Sequence, residues 1–183
     1  MKNENKNTIV DFDIPALFQA LDSQRTARGL TWPQVAREMW QMAAELNLSR
    51  QRDHPISPST IINMSKRGNT TCQHALIFLK WLGRSPESFL PGVAKNAGDE
   101  TWLRYTATDR RPRWHLRRLY DAINNRRQEQ QLTWGELAQV LRCTPNQLTG
   151  IRTARYAIGM KLAMRIVVWL ERPASDFIYL ARW

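Results

Sequence analysis

The sequence contains few cysteines, no long apolar run and no secretory segment. Its two cysteines, Cys72 and Cys143, are too few for a disulfide framework and fit a reducing compartment, so we expect a cytoplasmic protein. No apolar stretch approaches the roughly 18 residues that a membrane-spanning helix needs. The first residues, MKNENKNTIV, are polar and do not contain the apolar segment of a secretory signal. We therefore expect no membrane partner.

Signatures of enzymes and of metal sites are also missing. His54, His74 and His115 are scattered, and Cys72-Gln73-His74 is half of a zinc-binding pattern without the other half. The chain has no GxGxxG, P-loop, HExxH or GxSxG motif, and no carboxylate pair whose spacing suggests acid–base chemistry. We therefore expect no catalytic residues, no cofactor and no metal ion.

Acidic residues are scarce relative to basic ones. The 183 residues include 27 Lys and Arg against 16 Asp and Glu, which gives a formal net charge of +11. Such an excess indicates a polyanionic partner, with nucleic acid first and an anionic membrane surface second. A basic but otherwise ordinary enzyme is the alternative on charge alone. The length and the 43% apolar composition suit one or two small domains.

The most informative feature is an internal repeat. The stretch LTWPQVA at 30–36 returns as LTWGELA at 132–138, an offset of 102. Apolar side chains with helical spacing repeat at the same offset: Ile14, Leu17, Phe18 and Leu21 correspond to Leu116, Leu119, Tyr120 and Ile123. Further along, Ser57-Pro58 corresponds to Thr144-Pro145 at offset 87, and Trp81-Leu82 to Trp169-Leu170 at offset 88. The pattern predicts a duplication whose first copy carries about fifteen extra residues near 40–55.

The predicted fold class is all-α, because no segment alternates with period two and Gly and Pro fall at joints. We expect an N-terminal tail at 1–12, a first domain at 13–90, a linker at 91–112 and a second domain at 113–183. Predicted helices lie near 13–28, 31–46, 57–67, 71–83 and 86–90 in the first copy. In the second copy they lie near 114–130, 133–142, 144–153, 158–170 and 173–180. Trp102, Leu103 and Tyr105 in the linker are expected to pack on one of the copies.

Capping motifs mark the predicted helix starts. Thr31 with Gln34, Thr133 with Glu136, and Thr144 with Gln147 have the spacing of capping boxes, and Ser57-Pro58 has an N-cap followed by Pro at the first helical position. Tryptophans are interpreted chiefly as packing residues: Trp81 and Trp169 as core, Trp32 and Trp134 as first-turn contacts. Stacking on single-stranded nucleic acid is the alternative for them.

Each copy resembles the lambda-repressor-like (Cro-like) helix-turn-helix domain of xenobiotic-response-element class transcriptional regulators. The resemblance rests on LTWPQVA…SPSTI…RG…WLG…SFL in the first copy and LTWGELA…CTPNQL…WLE…DFI in the second. It implies two tandem five-helix domains in which the third helix enters the DNA major groove. The first copy departs from the pattern by its insertion between the second and third helices. The second copy lacks the Gly that usually follows the third helix.

On this resemblance, the third helices offer side chains for base edges, where Asn and Gln suit adenine and Arg suits guanine. The base-contact candidates are Ser59, Thr60, Asn63, Asn146, Gln147, Thr149 and Arg152. The phosphate-contact candidates are Thr31, Gln34, Ser57, Lys66, Arg67, Arg111, Arg113, Arg117, Arg118, Thr133, Thr144 and Arg155. For Ser57 and Thr144, capping alone is an equal alternative. For the arginines of 110–118, which we expect to open the first helix of the second copy, the alternative is a solvated face.

We expect a double-stranded DNA-binding transcriptional regulator, most simply a repressor, that reads two unlike half-sites and can also form a homodimer. The alternatives are a protein-interaction module, such as an antitoxin or a defence accessory that uses the first domain, and a binder of structured RNA.

Overall fold

The structure is a computed structural model that describes residues 9–50, 53, 55–92, 101–154 and 157–182. Within these ranges the chain is mostly helical and has one two-stranded sheet. The all-α expectation is therefore confirmed in its coarse form, and the sheet adds a feature that the sequence analysis does not contain.

The helices of the first copy are α1 (Ile14–Ala27), α2 (Trp32–Gln41), α3 (Ala44–Ser49), α4 (Pro58–Arg67) and α5 (Cys72–Leu82), followed by a 3-10 helix at Pro86–Phe89. A short 3-10 helix at Thr101–Leu103 precedes the second copy. The second copy contains β1 (Arg111–Trp114), α6 (Leu116–Glu129), α7 (Trp134–Val140), α8 (Pro145–Thr149), a 3-10 helix at Gly150–Thr153, α9 (Met160–Leu170), a 3-10 helix at Ala174–Phe177 and β2 (Ile178–Ala181).

The helices begin where the capping residues stand. Thr133 Oγ1 accepts from the Glu136 backbone N–H at 3.2 Å, and the Glu136 carboxylate accepts from the Thr133 N–H at 2.7 Å. Thr144 and Gln147 exchange the same two bonds at 3.3 and 2.8 Å. Each such cap stabilises a helix start by about 1 kcal/mol, because it satisfies an N–H that has no partner in the helix. The predicted capping boxes at Thr133 and Thr144 are thus confirmed.

The order of elements repeats at the offsets found in the sequence. Phe18 stacks on Trp32 with ring centroids 5.5 Å apart, and Tyr120 stacks on Trp134 at 5.6 Å. Equivalent arginines lie over both indoles and donate to equivalent carbonyls: Arg25 over Trp32 and to Leu30, Arg127 over Trp134 and to Leu132. These contacts confirm that the first-turn tryptophans pack within the protein.

Two predicted helices are wrong in part. The second helix of the first copy does not continue to residue 46, because α2 ends at Gln41 and α3 begins at Ala44 after a break at Met42 and Ala43. The last predicted helix, 173–180, ends at Phe177, where the backbone becomes extended and enters β2. The sheet holds this segment, since β2 pairs antiparallel with β1.

A third correction concerns the single predicted helix at 144–153. The α-helical part ends at Thr149, and Gly150 starts a 3-10 helix that ends at Thr153. Glycine is disfavoured inside an α-helix by roughly 1 kcal/mol relative to alanine, which explains the change of helix type at this residue.

The segments outside the helices connect the two copies. Ile9 and Phe12, placed in the N-terminal tail by the sequence analysis, are buried, and Arg142 of the second copy donates to the Ile9 carbonyl at 2.7 Å. In the linker range Trp102 is buried, and the Thr108 carbonyl accepts from the Leu46 N–H in α3 at 3.1 Å. The linker therefore contacts the first copy as well as β2 of the second.

Both copies share one contiguous apolar core, which includes the predicted core residues Trp81 and Trp169. Among the helices of the described ranges, none is both long enough and apolar enough to cross a membrane.

Candidate nucleic-acid interface

The two copies meet at a backbone bridge made by equivalent residues. Thr71, which caps α5, pairs antiparallel with Gly159, which precedes α9. The N–H groups of Cys72 and Met160 donate to the carbonyls of Ile158 and Thr70, both at 2.8 Å. Adding 88 to the residues of one copy gives the residues of the other, so the two bonds exchange under a two-fold rotation. The contact between the two copies is thus symmetric at this bridge, and α5 lies against α9.

In each copy the bridging residue follows the third helix, which is α4 in the first copy and α8 with its 3-10 extension in the second. Asn69, just beyond α4, lines the same surface groove as Asn146, Gln147 and Gly150 of the second copy. The residue that follows the end of α4 therefore lies on the same surface groove as α8.

The base-contact candidates of the first copy lie on α4. Ser59 is exposed, and Thr60 and Asn63 are half-buried. The Ser57 hydroxyl caps α4, accepting from the Thr60 N–H at 3.2 Å, and also contacts the hydroxyls of Ser59 and Thr60 within 3 Å. This hydroxyl cluster faces solvent, whereas Ile61 and Met64 are buried beneath it.

The base-contact candidates of the second copy differ in exposure and in hydrogen bonding. Asn146, Gln147 and Arg152 are exposed. Gln147 also caps α8 through Oε1, and its Nε2 has no hydrogen-bond partner within the described ranges. Thr149 turns back and donates its hydroxyl to the Pro145 carbonyl at 3.2 Å. The exposed side chains of Asn146, Gln147 and Arg152 are thus placed to contact another molecule.

Several phosphate-contact candidates lie on open surface. The exposed members are Thr31, Gln34, Ser57, Lys66, Arg67, Arg117, Arg118, Thr133 and Thr144. Lys66 and Arg67 end α4, and Arg117 and Arg118 lie in the first turn of α6. Arg110, Arg111 and Arg113 precede α6 instead of opening it, since Arg111 and Arg113 lie in β1.

The starts of α2 and α7 differ in charge. Gln34 Oε1 accepts from the Thr31 N–H at 2.7 Å, and Glu136 occupies the equivalent place beside Thr133. The Thr133 N–H and hydroxyl hold the pKa of the Glu136 carboxyl below its usual range. An anion that approaches α7 therefore meets a carboxylate, whereas one that approaches α2 meets a neutral amide.

The Arg111 guanidinium contacts other residues of the protein. Its Nη2 lies 2.7 Å from Asp53 Oδ2 and 3.3 Å from Asn47 Oδ1, and its side chain is 14% exposed. The guanidinium also lies 5.8 Å from the Trp40 ring centroid. Arg111 therefore joins β1 to the insertion of the first copy, and the geometry gives it a structural role instead of a surface one.

Arg113 and Arg155 are the remaining phosphate-contact candidates. Arg113 is half-buried in β1, and burial lowers the pKa of its guanidinium. Arg155 lies outside the described residues. Asn69 and Lys161, which are not among the predicted contact residues, line the groove beside Asn146 and Gln147. Their position next to the bridge depends on the packing of the two copies, and the sequence repeat alone contains no signal for it.

Comparison of the chain with protein-family models gives no match, and its comparisons with curated proteins and with solved structures give none either.

Proposed function

We infer that the protein is a double-stranded DNA-binding regulator of transcription, in which two lambda-repressor-like helix-turn-helix units form a pseudo-dimer within one chain. The observation that carries the proposal is the bridge between Thr71 and Gly159. Ordinary regulators of this class present two recognition helices by dimerisation. A two-fold relation inside a single chain supports the same presentation.

The side chains of the two third helices support reading of unlike sequences. When the two copies are aligned at offset 87, Ser59 corresponds to Asn146, Thr60 to Gln147 and Asn63 to Gly150. Amides can contact adenine with two hydrogen bonds, whereas a hydroxyl discriminates little between bases. The second copy is therefore the more selective reader, and the whole site is asymmetric.

Charge supports a duplex partner. The net charge of +11 and the exposed pairs Lys66–Arg67 and Arg117–Arg118 favour binding to phosphates. Arg117 and Arg118 stand in the first turn of α6, where the helix dipole disfavours cations. A local cost of this kind is reasonable at a surface that binds anions.

Fluorescence anisotropy tests the class of partner. The probes are a labelled 30-base-pair duplex of random sequence, the corresponding single strand and an RNA hairpin, each at 50 and 200 mM salt. We expect the duplex to bind most tightly and to weaken steeply with salt, by about 0.9 in log–log slope per phosphate contact. Tighter binding of the hairpin would replace this proposal by structured-RNA recognition, and binding of none of the probes would contradict nucleic-acid recognition altogether.

One observation favours a protein partner as the second candidate. Leu48 on α3, in the insertion of the first copy, is 81% exposed. A single exposed leucine is weak support for an interface, because isolated apolar residues are common on protein surfaces. A homodimer through this residue would be visible as concentration-dependent mass in analytical ultracentrifugation, which Leu48→Gln would abolish.

A further inference from the structure

The insertion of the first copy builds a cavity that the DNA-binding proposal does not use. The cavity has a volume of about 160 Å³ and lies between α2, α3, α5 and β1. It has no counterpart of the same construction in the second copy, since α7 connects to α8 without an element equivalent to α3. It also lies where β1, the opening strand of the second copy, meets the first copy.

The inner wall of the cavity is apolar. Met39, Met42, Ala43, Ile56 and Ile77 contribute side chains to it. Two of the five are methionines, whose flexible thioethers adapt to ligands of different shape. A cavity of about 150 Å³ is enough to hold a benzene ring. The apolar part therefore suits a compact body such as one aromatic ring or a short branched chain.

The remaining wall is cationic. Lys80, Arg110, Arg111 and Arg113 all line the cavity. Asp53 Oδ2 lies 2.7 Å from Arg111 Nη2, and Asp109 Oδ2 lies 3.6 Å from Arg110 Nε, so each of these two guanidinium groups has a carboxylate beside it. Burial lowers the pKa of Lys80, and its ammonium lies 4.9 Å from the Tyr105 ring centroid. Within the described ranges Lys80 makes no ion pair with a carboxylate, so an anion placed here would meet its positive charge in a partly desolvated place.

Two guanidinium nitrogens of this wall make no hydrogen bond. Within the described ranges, Arg111 Nε is buried without an acceptor, and Arg110 Nε is buried with only the Asp109 carboxylate near it, at 3.6 Å. A buried N–H without an acceptor costs about 1–3 kcal/mol and is uncommon in folded proteins. A bound carboxylate is the simplest group that offers acceptors to two guanidinium groups.

We propose that this cavity binds a small organic anion, a carboxylate with a compact aromatic or branched apolar body. The apolar body occupies the space between Met39, Ile56 and Ile77, and the carboxylate faces Lys80 and Arg110. A few placed polar groups at the rim of an apolar pocket are typical of small-molecule sites. The site bridges α3 and β1, so its occupant contacts both copies. Its existence does not depend on DNA binding.

Isothermal titration calorimetry of the full chain without DNA tests the proposal with three probes of nearly equal size. Benzoate carries the negative charge, benzamide is its neutral counterpart and benzylamine is cationic. We expect benzoate to bind saturably at one site, at least tenfold more tightly than benzamide, and benzylamine not to bind. Equal affinity for benzoate and benzamide, or no saturable benzoate binding, would overturn the proposal.

Two variants locate the site. Ile77→Phe fills the apolar part, and Lys80→Val replaces the cation by the residue that α9 has at the equivalent position, Val168. Each is expected to weaken benzoate binding at least fivefold, whereas Arg37→Gln, which removes an exposed cation of α2 outside the cavity, leaves it unchanged. Unchanged binding in both cavity variants would overturn the assignment.

Histidine NMR signals of the unsubstituted protein locate the site without relying on variants that could fold poorly. His74 lines the cavity, and His115 caps α6 outside the lining set. Benzoate is expected to shift the imidazole NMR signals of His74 and to leave those of His115 in place. Shifts of both, or of His115 alone, would show binding elsewhere and contradict the proposed site.

Discussion

The backbone of Thr71 pairs with that of Gly159, and the two residues occupy equivalent positions in the two copies of the repeat. In Thr71 the side chain caps α5, accepting from the His74 N–H at 3.1 Å. Gly159 has no side chain to cap α9. The reason lies across the bridge: a Cβ at Gly159 would stand 3.2 Å from Oδ1 and Nδ2 of Asn69. The symmetric contact thus includes one asymmetric position, where a close approach favours glycine.

This close approach predicts coupling between positions 69 and 159. Gly159→Ser gains an N-cap worth a few tenths of a kcal/mol but crowds the Asn69 amide, so we expect a net loss of about 0.5–1 kcal/mol in unfolding free energy. In an Asn69→Ala background the crowding is removed, and the same change is expected to stabilise the protein. Urea denaturation of the four proteins in this cycle gives the coupling energy.

Gly150 supplies the matched control for that cycle. No described atom outside its immediate neighbours lies within 4 Å of a Cβ built there. Gly150→Ser is expected to show no coupling with Asn69→Ala. If Gly159→Ser changed stability equally in both backgrounds, the two copies would not be in contact at the bridge.

Substitutions of Arg111 and Arg117 are expected to affect different properties, the first stability and the second duplex binding. Arg111→Gln removes an ion pair with Asp53 that is largely withdrawn from solvent, and we expect it to lower unfolding stability by about 1–3 kcal/mol. In the Arg111→Gln variant, the salt dependence of duplex binding is expected to stay unchanged. Arg117→Gln on the exposed face of α6 is expected to change stability by less than about 0.5 kcal/mol but to reduce the salt slope by about 0.9.

Thermal denaturation and anisotropy at several salt concentrations measure both quantities. A reduced salt slope for Arg111→Gln with unchanged stability would restore Arg111 to the phosphate-contact group and remove its structural role.

The N-terminal segment is expected to be pH-sensitive. The Arg165 guanidinium donates to Asp11, and this hydrogen bond holds the pKa of that carboxyl below its usual value of 3.8. The pair therefore stabilises the folded chain above pH 3.8, and its contribution is lost as the pH falls through the lowered pKa. Since Asp11 is 41% exposed, we expect Asp11→Asn to cost only about 0.5 kcal/mol at pH 7.

Denaturant titrations at pH 7 and near pH 3 give the unfolding free energies of Asp11→Asn and of the unsubstituted protein. The difference between these two free energies should be smaller at the lower pH. Asp121→Asn, an exposed carboxylate of α6, removes the same charge and serves as control. A gap that widens on acidification would exclude the ion pair with Arg165 as its cause.

Features that depend on neighbouring residues were predictable from the sequence. The capping boxes at Thr133 and Thr144 and the buried Trp81 and Trp169 follow from spacings of a few residues. The order of helices could be predicted because the repeat supplies each signal twice. Such local signals do not depend on how the copies pack.

Features that depend on distant partners could not be predicted. The segments Arg111–Trp114 and Ile178–Ala181 are four residues each and lie far apart in the chain, so neither shows a strand pattern on its own. Arg111 has the sequence context of a surface charge, and only its partner 58 residues away, Asp53, makes it structural. The bridge at Gly159 likewise involves backbone groups, which the sequence does not mark.

Selection from a random duplex pool with the full chain tests the central claim most directly. The account predicts an enriched motif with two unlike halves, their centres about 34 Å apart. Gln147→Glu keeps the capping oxygen, as Glu136 does in α7, but loses the amide donor, so it should erase the preference in one half only. Ser59→Ala should change only the other half, and more weakly, because a hydroxyl discriminates little between bases. A symmetric motif, a single half-site or no motif would contradict an account in which two different helices of one chain read one duplex.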